Sequence, residues 1–271
     1  MTPLTDMPIN ARKNLRGVFT DIDDTITSDG RLPSSSYAAL EALSRAGLAV
    51  VAITGRPAGW CDMIARFWPV AGVVGENGAF YFHYDHLAKR MRRRFFQGEE
   101  ERSSGRQRLQ KIAARVLAEI PGAAIASDQS YRESDLAIDF AEDVPALSRG
   151  AIDRIVAIYA EEGATAKVSS IHVNGWFGSY DKLTMTRMFV ADVLGIALDE
   201  HKSEFAYCGD SPNDAPMFGY FPNSCGVANV ADFKGRIDAL PTYIAPSRGA
   251  DGFAEIARAI LSARIGQLAA N

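Results

Sequence analysis

The chain has 271 residues, 47% of them hydrophobic and 23% charged, which is enough apolar material for a buried core and too little charge for a disordered polymer. A net charge of −4 argues against nucleic acid as a partner. No apolar run approaches the ~20 residues that span a bilayer, the first sixteen residues lack a leader-like apolar segment, and Cys61, Cys208 and Cys225 form no C-x-x-C pair, so the reading is a cytoplasmic protein without membrane, zinc or disulfide framework.

Residues 1–14 are polar, carry Pro3 and Pro8, and read as a loose N-terminal tail. Gly17 to Ile22 is a short β-rich run, and Ser34 to Ala46 has apolar residues at helical spacing. Leu48 to Ile53 is continuously apolar, as in a strand covered on both faces. Pro57 to Trp68 reads as a helix opened by proline, and Ala71 to Gly75 and Ala79 to Tyr84 as strands. This β-α-β-α-β order predicts an α/β fold, a Rossmann-like doubly wound parallel sheet.

The rhythm changes over residues 85–178. A basic stretch (Lys89, Arg90, Arg92, Arg93, Arg94) precedes an α-β-β-α-β-β succession, read as an inserted α+β domain. The basic stretch is read as a solvated edge strand in preference to an anion attractor. From residue 179 the core pattern returns: a helix over Lys182 to Leu194, a strand over Glu204 to Cys208, a short helix over Pro212 to Tyr220, a strand over Ser224 to Ala228, and helices over Ala231 to Leu240 and Gly252 to Arg264. The core is therefore assigned to residues 15–84 and 179–271.

Four clusters carry chemistry. Asp21-Ile22-Asp23-Asp24-Thr25 follows the first core strand, and ligands of open parallel sheets bind beyond the carboxyl ends of the strands. Thr54-Gly55-Arg56-Pro57 joins a strand to a helix whose free N–H groups could meet an anion. Lys182 opens a helix. Gly209-Asp210-Ser211-Pro212-Asn213-Asp214 gathers oxygen ligands of the kind Mg²⁺ takes. Taken singly, each also reads as a cap, a turn or a solvated surface residue.

In this order the four clusters resemble the motifs of the haloacid dehalogenase superfamily of phosphohydrolases, over almost the whole chain. The inserted α+β domain, Thr54-Gly55-Arg56 and Glu76-Asn77-Gly78-Ala79 are similar to the subgroup with a cap between the second and third motifs, which includes sucrose-phosphate phosphatase, mannosyl-phosphoglycerate phosphatase and phosphomannomutase. Position 24 departs from it: Asp stands where many members have Gly. The resemblance implies a Mg²⁺-dependent phosphatase acting on a small phosphorylated metabolite, a sugar phosphate by analogy. Asp21 would be the nucleophile, Asp23 the acid and base, and Thr54 and Lys182 the phosphoryl clamps. Asp21, the Asp23 carbonyl, Asp210, and Asn213 or Asp214 would hold the metal. Gly55, Arg56, Asn77, His172 and Asn174 are the candidates to meet substrate, with Trp176 read as hinge packing and His172 as more often structural than a ligand contact. A sugar phosphomutase and a non-catalytic metabolite-binding protein are the alternatives. The sequence carries no signal for an oligomeric state.

Overall fold

The computed structural model describes residues 1–264. Its larger sheet has nine strands. In chain order they are β1 (Thr2–Pro3), β2 (Gly17–Thr20), β3 (Ala49–Ile53), β4 (Gly72–Gly75), β5 (Phe80–Asp85) and β6 (Arg90–Phe95), then, after the inserted unit, β11 (Phe205–Gly209), β12 (Asn223–Gly226) and β13 (Tyr243–Ile244). Side by side they run β1-β13-β12-β11-β2-β3-β4-β5-β6. All pairings from β1 to β4 are parallel, and β5 and β6 add an antiparallel hairpin at the far edge.

Alternation along each strand splits the apolar runs between two cores. Val18, Val50, Ala52 and Val73 point to one face, with residues of α2 (Ser34–Arg45), α3 (Ala58–Phe67) and α9 (Gly249–Ser262). Phe19, Val51, Ile53 and Val74 point to the other, with residues of α6 (Lys182–Phe189), α7 (Leu198–His201) and α8 (Ala215–Tyr220). Burial on both faces explains why β2 and β3 are almost continuously apolar.

The inserted unit runs α4 (Glu99–Glu119), β7 (Ala124–Ile125), β8 (Leu136–Asp139), α5 (Arg149–Glu161), β9 (Thr165–Val168) and β10 (His172–Trp176). Its sheet, ordered β7-β8-β10-β9, is antiparallel. Leu136, Ile138 and Val173 pack with Leu109, Ile112 and Val116 of α4 and Ile155, Ile158 and Tyr159 of α5. The intervening positions of β10, His172 and Asn174, fall on the opposite face.

The structure departs from the sequence reading in three places. Residues 1–14 are not a loose tail: β1 pairs with β13, α1 (Ile9–Lys13) follows, and Leu4 and Met7 are buried. These apolar anchors are scattered among polar residues and form no periodic run. The hairpin strand β6 belongs to the large sheet, so the stretch 85–97 adjoins the core and the separate succession starts at α4. The basic stretch is an edge strand, with Arg93 paired to Asp62 and Arg94 to Asp192. Over Ala231 to Leu240 only the short turn of helix Ala228–Phe233 forms, and the two-residue β13 follows it. The core assignment also reached residues 265–271, which lie outside the described residues.

Candidate active site

The chain leaves β2 to build one side of the sheet (β3, β4) and later returns through β11 to build the other (β12, β13). β2 and β11 are therefore neighbours at the point where the strand order reverses, the place where open sheets leave a crevice. Asp21 follows β2 and Asp210 follows β11, and the Asp21 N–H donates to the Cys208 carbonyl at 2.9 Å.

Lys182, the first residue of α6, enters this crevice from below. Its buried ammonium donates to Asp21 Oδ1 at 2.9 Å and to Asp214 Oδ1 at 2.7 Å. Asp181 caps the helix by accepting the Thr184 N–H. Gly78, at φ 109°, allows the close approach: a Cβ there would lie 2.0 Å from the Asp181 carbonyl oxygen. Asp214 accepts four hydrogen bonds, from Lys182 and the Tyr207 hydroxyl on Oδ1 and from the Asp210 and Ser211 N–H groups on Oδ2. Its role in this geometry is to fix the 210–214 loop and aim the lysine. Gly209 is needed for that loop, because a Cβ would come 2.4 Å from Asp214 Oδ2.

One oxygen of Asp210 accepts from Thr25 Oγ1 at 3.3 Å. The other, Oδ2, is buried and has no hydrogen-bond partner among the described residues. Carboxylate oxygens of Asp21, Asp210 and Asp214 lie within 4.8 Å of one another. Three carboxylates around one ammonium leave negative charge in excess. Burial pushes Asp21 up to about 8; Lys182 opposes the rise, and Asp214 and Asp23 add to it. Asp210 is driven well above its ordinary value by burial, then by Asp214 and Asp21. Burial works against the Lys182 ammonium, but Asp21 and Asp214 outweigh it and hold its pKa above the usual value. An unpartnered buried oxygen and a surplus of negative charge are what a hard divalent cation such as Mg²⁺ would satisfy, so the donor set fits that ion.

Asp23 stands beside Asp21 and is held by Arg56, with Nε to Oδ1 at 3.0 Å and Nη2 to Oδ1 at 2.8 Å. Arg56 reaches across to the inserted unit, donating to Glu142 Oε1 at 2.6 Å and lying 3.5 Å from Asp128, with its guanidinium over the Trp60 ring. His172 Nε2 is 2.9 Å from Glu142 Oε2, close enough to pair by charge although it is not aligned for a hydrogen bond. Burial works to raise Glu142, but His172 and Arg56 outweigh it and bring the carboxyl down to about 2.

A narrow cleft is lined by Asp21, Asp23, Gly55, Arg56, Asn213, Ser211, His172 and Asn174, roofed by the 169–171 loop. The structure thus gathers most of the residues singled out in the sequence. Lys182, Asp210 and Asp214 meet Asp21 but do not line the cleft, and Thr54 and Asn77 are not among the lining residues either. Thr54 is fully buried and its hydroxyl accepts the Arg56 N–H at 3.0 Å. Asn77 lies behind Gly55, whose Cβ would sit 3.1 Å from Asn77 Nδ2. Trp176 is buried and stacks on Tyr180, as hinge packing requires. Asp24 adopts φ 54°, a left-handed conformation that glycine takes without strain. Glu142, Arg132 and Tyr207 escaped the sequence reading because they sit in no motif, and Glu76, though part of the quoted Glu76-Asn77-Gly78-Ala79, was given no role of its own.

Residues 18–100 match the model of the haloacid dehalogenase-like hydrolases. A phosphoglycolate phosphatase from Methanospirillum hungatei is 29% identical over 259 residues, covering 90% of this chain and 96% of that protein. Among solved structures, the C-terminal domain of trehalose-6-phosphate phosphatase from C. albicans superposes with a TM-score of 0.72 at 14% identity, covering 97% of this chain and 98% of that one. Sucrose-phosphatase from Synechocystis gives 0.60 at 16% identity, covering 93% and 98%. At such identities the two structures share this chain's fold.

Proposed function

We propose that this chain is a haloacid dehalogenase-like phosphoric monoester hydrolase that frees phosphate from a small metabolite through a covalent phosphoryl group on Asp21. The observation that carries the reading is the buried contact of Asp21 with Lys182 beside the unpartnered Asp210 Oδ2, at the switch point of the sheet.

Asp21 Oδ attacks phosphorus in line as the ester P–O bond breaks, giving an acyl phosphate and an alcohol. Asp23 gives its proton to the leaving oxygen, then takes one from the water that attacks the acyl phosphate, which releases inorganic phosphate and restores Asp21. Lys182 stays charged beside Asp21 and offsets the charge that gathers on the phosphoryl oxygens. Asp214 keeps Lys182 aimed and the 210–214 loop in place. Mg²⁺ held by Asp21, Asp210 and the Asp23 carbonyl, with Asn213 nearby, would supply Lewis-acid relief of the repulsion between a carboxylate and a phosphoryl group. Thr54, buried under the Arg56 amide, supports the strand–helix turn that faces the phosphate.

The cleft has little free space with the inserted unit in this position, which favours a short leaving alcohol, in line with the phosphoglycolate named for the relative from Methanospirillum. A sugar phosphate is the second reading. A chamber beside Asp23, lined by Asp24, Thr27, Asp29 and Glu142, offers oxygens that accept from sugar hydroxyls. Phosphate release from phosphoglycolate and a sugar-phosphate panel, with Mg²⁺ or EDTA and with wild type or Asp21→Asn, tests the proposal. Release is expected to need both the metal and Asp21. Turnover by Asp21→Asn, with deamidation excluded, would remove Asp21 as nucleophile.

A further inference from the structure

Two fastenings join the inserted unit to the core, and they differ in kind. On the hinge side, the fully buried Glu76 carboxylate accepts the N–H groups of three successive residues of the inserted unit, Glu133, Ser134 and Asp135, and Arg132 donates to the Gly55 carbonyl at 2.9 Å. On the cleft side, Arg56 is met by two carboxylates of the inserted unit: Glu142, a quarter exposed, which accepts its hydrogen bonds, and the buried Asp128, 3.5 Å away.

Glu142 is presented rigidly. The Asp139 carboxylate at the end of β8 accepts the N–H groups of Ala141, Glu142 and Asp143 at 2.8–2.9 Å, which fixes the loop that carries it. Its two oxygens then meet both terminal nitrogens of Arg56, at 2.6 and 3.3 Å, and His172 Nε2 at 2.9 Å. A forked guanidinium with an imidazole beside it is a receptor for a carboxylate. Arg56 comes from the core and His172 from the inserted unit, and both line the cleft next to Asp23.

Resting on the phosphatase reading, we infer that Arg56 and His172 form the specificity-determining receptor for a carboxylate on the leaving group, and that Glu142 fills this receptor when the enzyme is empty. A substrate whose alcohol carries a carboxylate exchanges one carboxylate for another on Arg56, so the charge balance there is kept. It also releases Glu142 from Arg56, while Asp128 stays beside Arg56 and Glu76 and Arg132 hold the hinge side. A neutral leaving group has nothing with which to displace Glu142 and leaves it in place.

The test is equilibrium binding by calorimetry in the Asp21→Asn background with Mg²⁺, where no turnover intrudes. The probes are phosphoglycolate and its neutral counterpart 2-hydroxyethyl phosphate. Glu142→Gln removes the competing charge and is expected to tighten phosphoglycolate about tenfold, the scale of one charge-assisted hydrogen bond, and to leave 2-hydroxyethyl phosphate unchanged. His172→Gln is expected to weaken phosphoglycolate alone. Glu142→Asp, which draws the charge back by one methylene, should give a smaller tightening and serves if Glu142→Gln does not fold. Equal changes for both probes, or no tightening of phosphoglycolate, would overturn the inference. Asp21-dependent release of phosphate from p-nitrophenyl phosphate is measured separately: its absence sinks the phosphatase reading, whereas a selective binding shift without it leaves the receptor standing.

Discussion

Glu76→Gln is the perturbation whose cost can be worked out most directly. Glu76 Oε1 accepts from the Ala58 and Glu133 N–H groups at 3.1 and 2.8 Å, and Oε2 from Ser134 and Asp135 at 2.6 and 3.2 Å. Glutamine has one acceptor oxygen, so whichever way its amide turns, two buried N–H groups face an NH₂ donor. Each orphaned N–H costs about 1–3 kcal/mol, which gives roughly 2–6 kcal/mol for the pair. Removing the charge returns part of this, because burial works against the ionised form and pushes the Glu76 carboxyl up to about 8. A net loss of about 3 kcal/mol remains, a fall in Tm of roughly 6–12 °C for a chain of this size. Scanning calorimetry of wild type and Glu76→Gln at one pH checks it. A Tm within one degree of wild type would show that the three amides of the inserted unit do not depend on this carboxylate, and the hinge-side fastening would have to be abandoned.

Three further expectations follow from the same geometry. Asp24 sits at φ 54°, so Asp24→Gly should change stability by no more than about 0.5 kcal/mol, whereas the β-branched Asp24→Val should lose about 2 kcal/mol; urea denaturation separates the two. Asp23→Asn should slow esters of poor leaving groups by about 10²–10⁴ and largely spare p-nitrophenyl phosphate, and equal losses on both would remove Asp23 as the proton donor. Glu142 carries a depressed pKa, so its contribution is present above its ordinary 4.5 and disappears as the pH falls through about 2. With allowance for its partial exposure that is on the order of 2 kcal/mol, and the stability gap between wild type and Glu142→Gln should close over this acid range.

Much of the site was legible because it depends on local order. The acid pair at Asp21 and Asp23, the turn at Thr54-Gly55-Arg56 and the loop from Gly209 to Asp214 each follow an apolar run, and a parallel sheet delivers such positions to one edge wherever its strands lie. The alternation of Val18 with Phe19 and Val50 with Val51 likewise fixes two-sided burial before any partner is known. Lys182 could be singled out only through its place in the order of motifs, since a lysine at a helix start looks like any solvated lysine.

Tertiary structure decided what depends on pairing between distant segments. Nothing near Glu142 marks it out, and the motif that holds Glu76 does not name its partners; one acquires its role from Arg56, 86 positions away, and the other from the amides of 133–135. Leu4 and Met7 looked like parts of a loose tail until β13 gave β1 a neighbour. His172 is polar on a strand, and only the stacking of α4 and α5 on the other face of its sheet turns it toward the cleft. Sequence alone determined the elements and the edge of the sheet that bears the chemistry, because apolar periodicity and turn chemistry act over a few residues. Which carboxylate meets which cation was set by the fold, because those partners come together only when the two bodies of the chain pack.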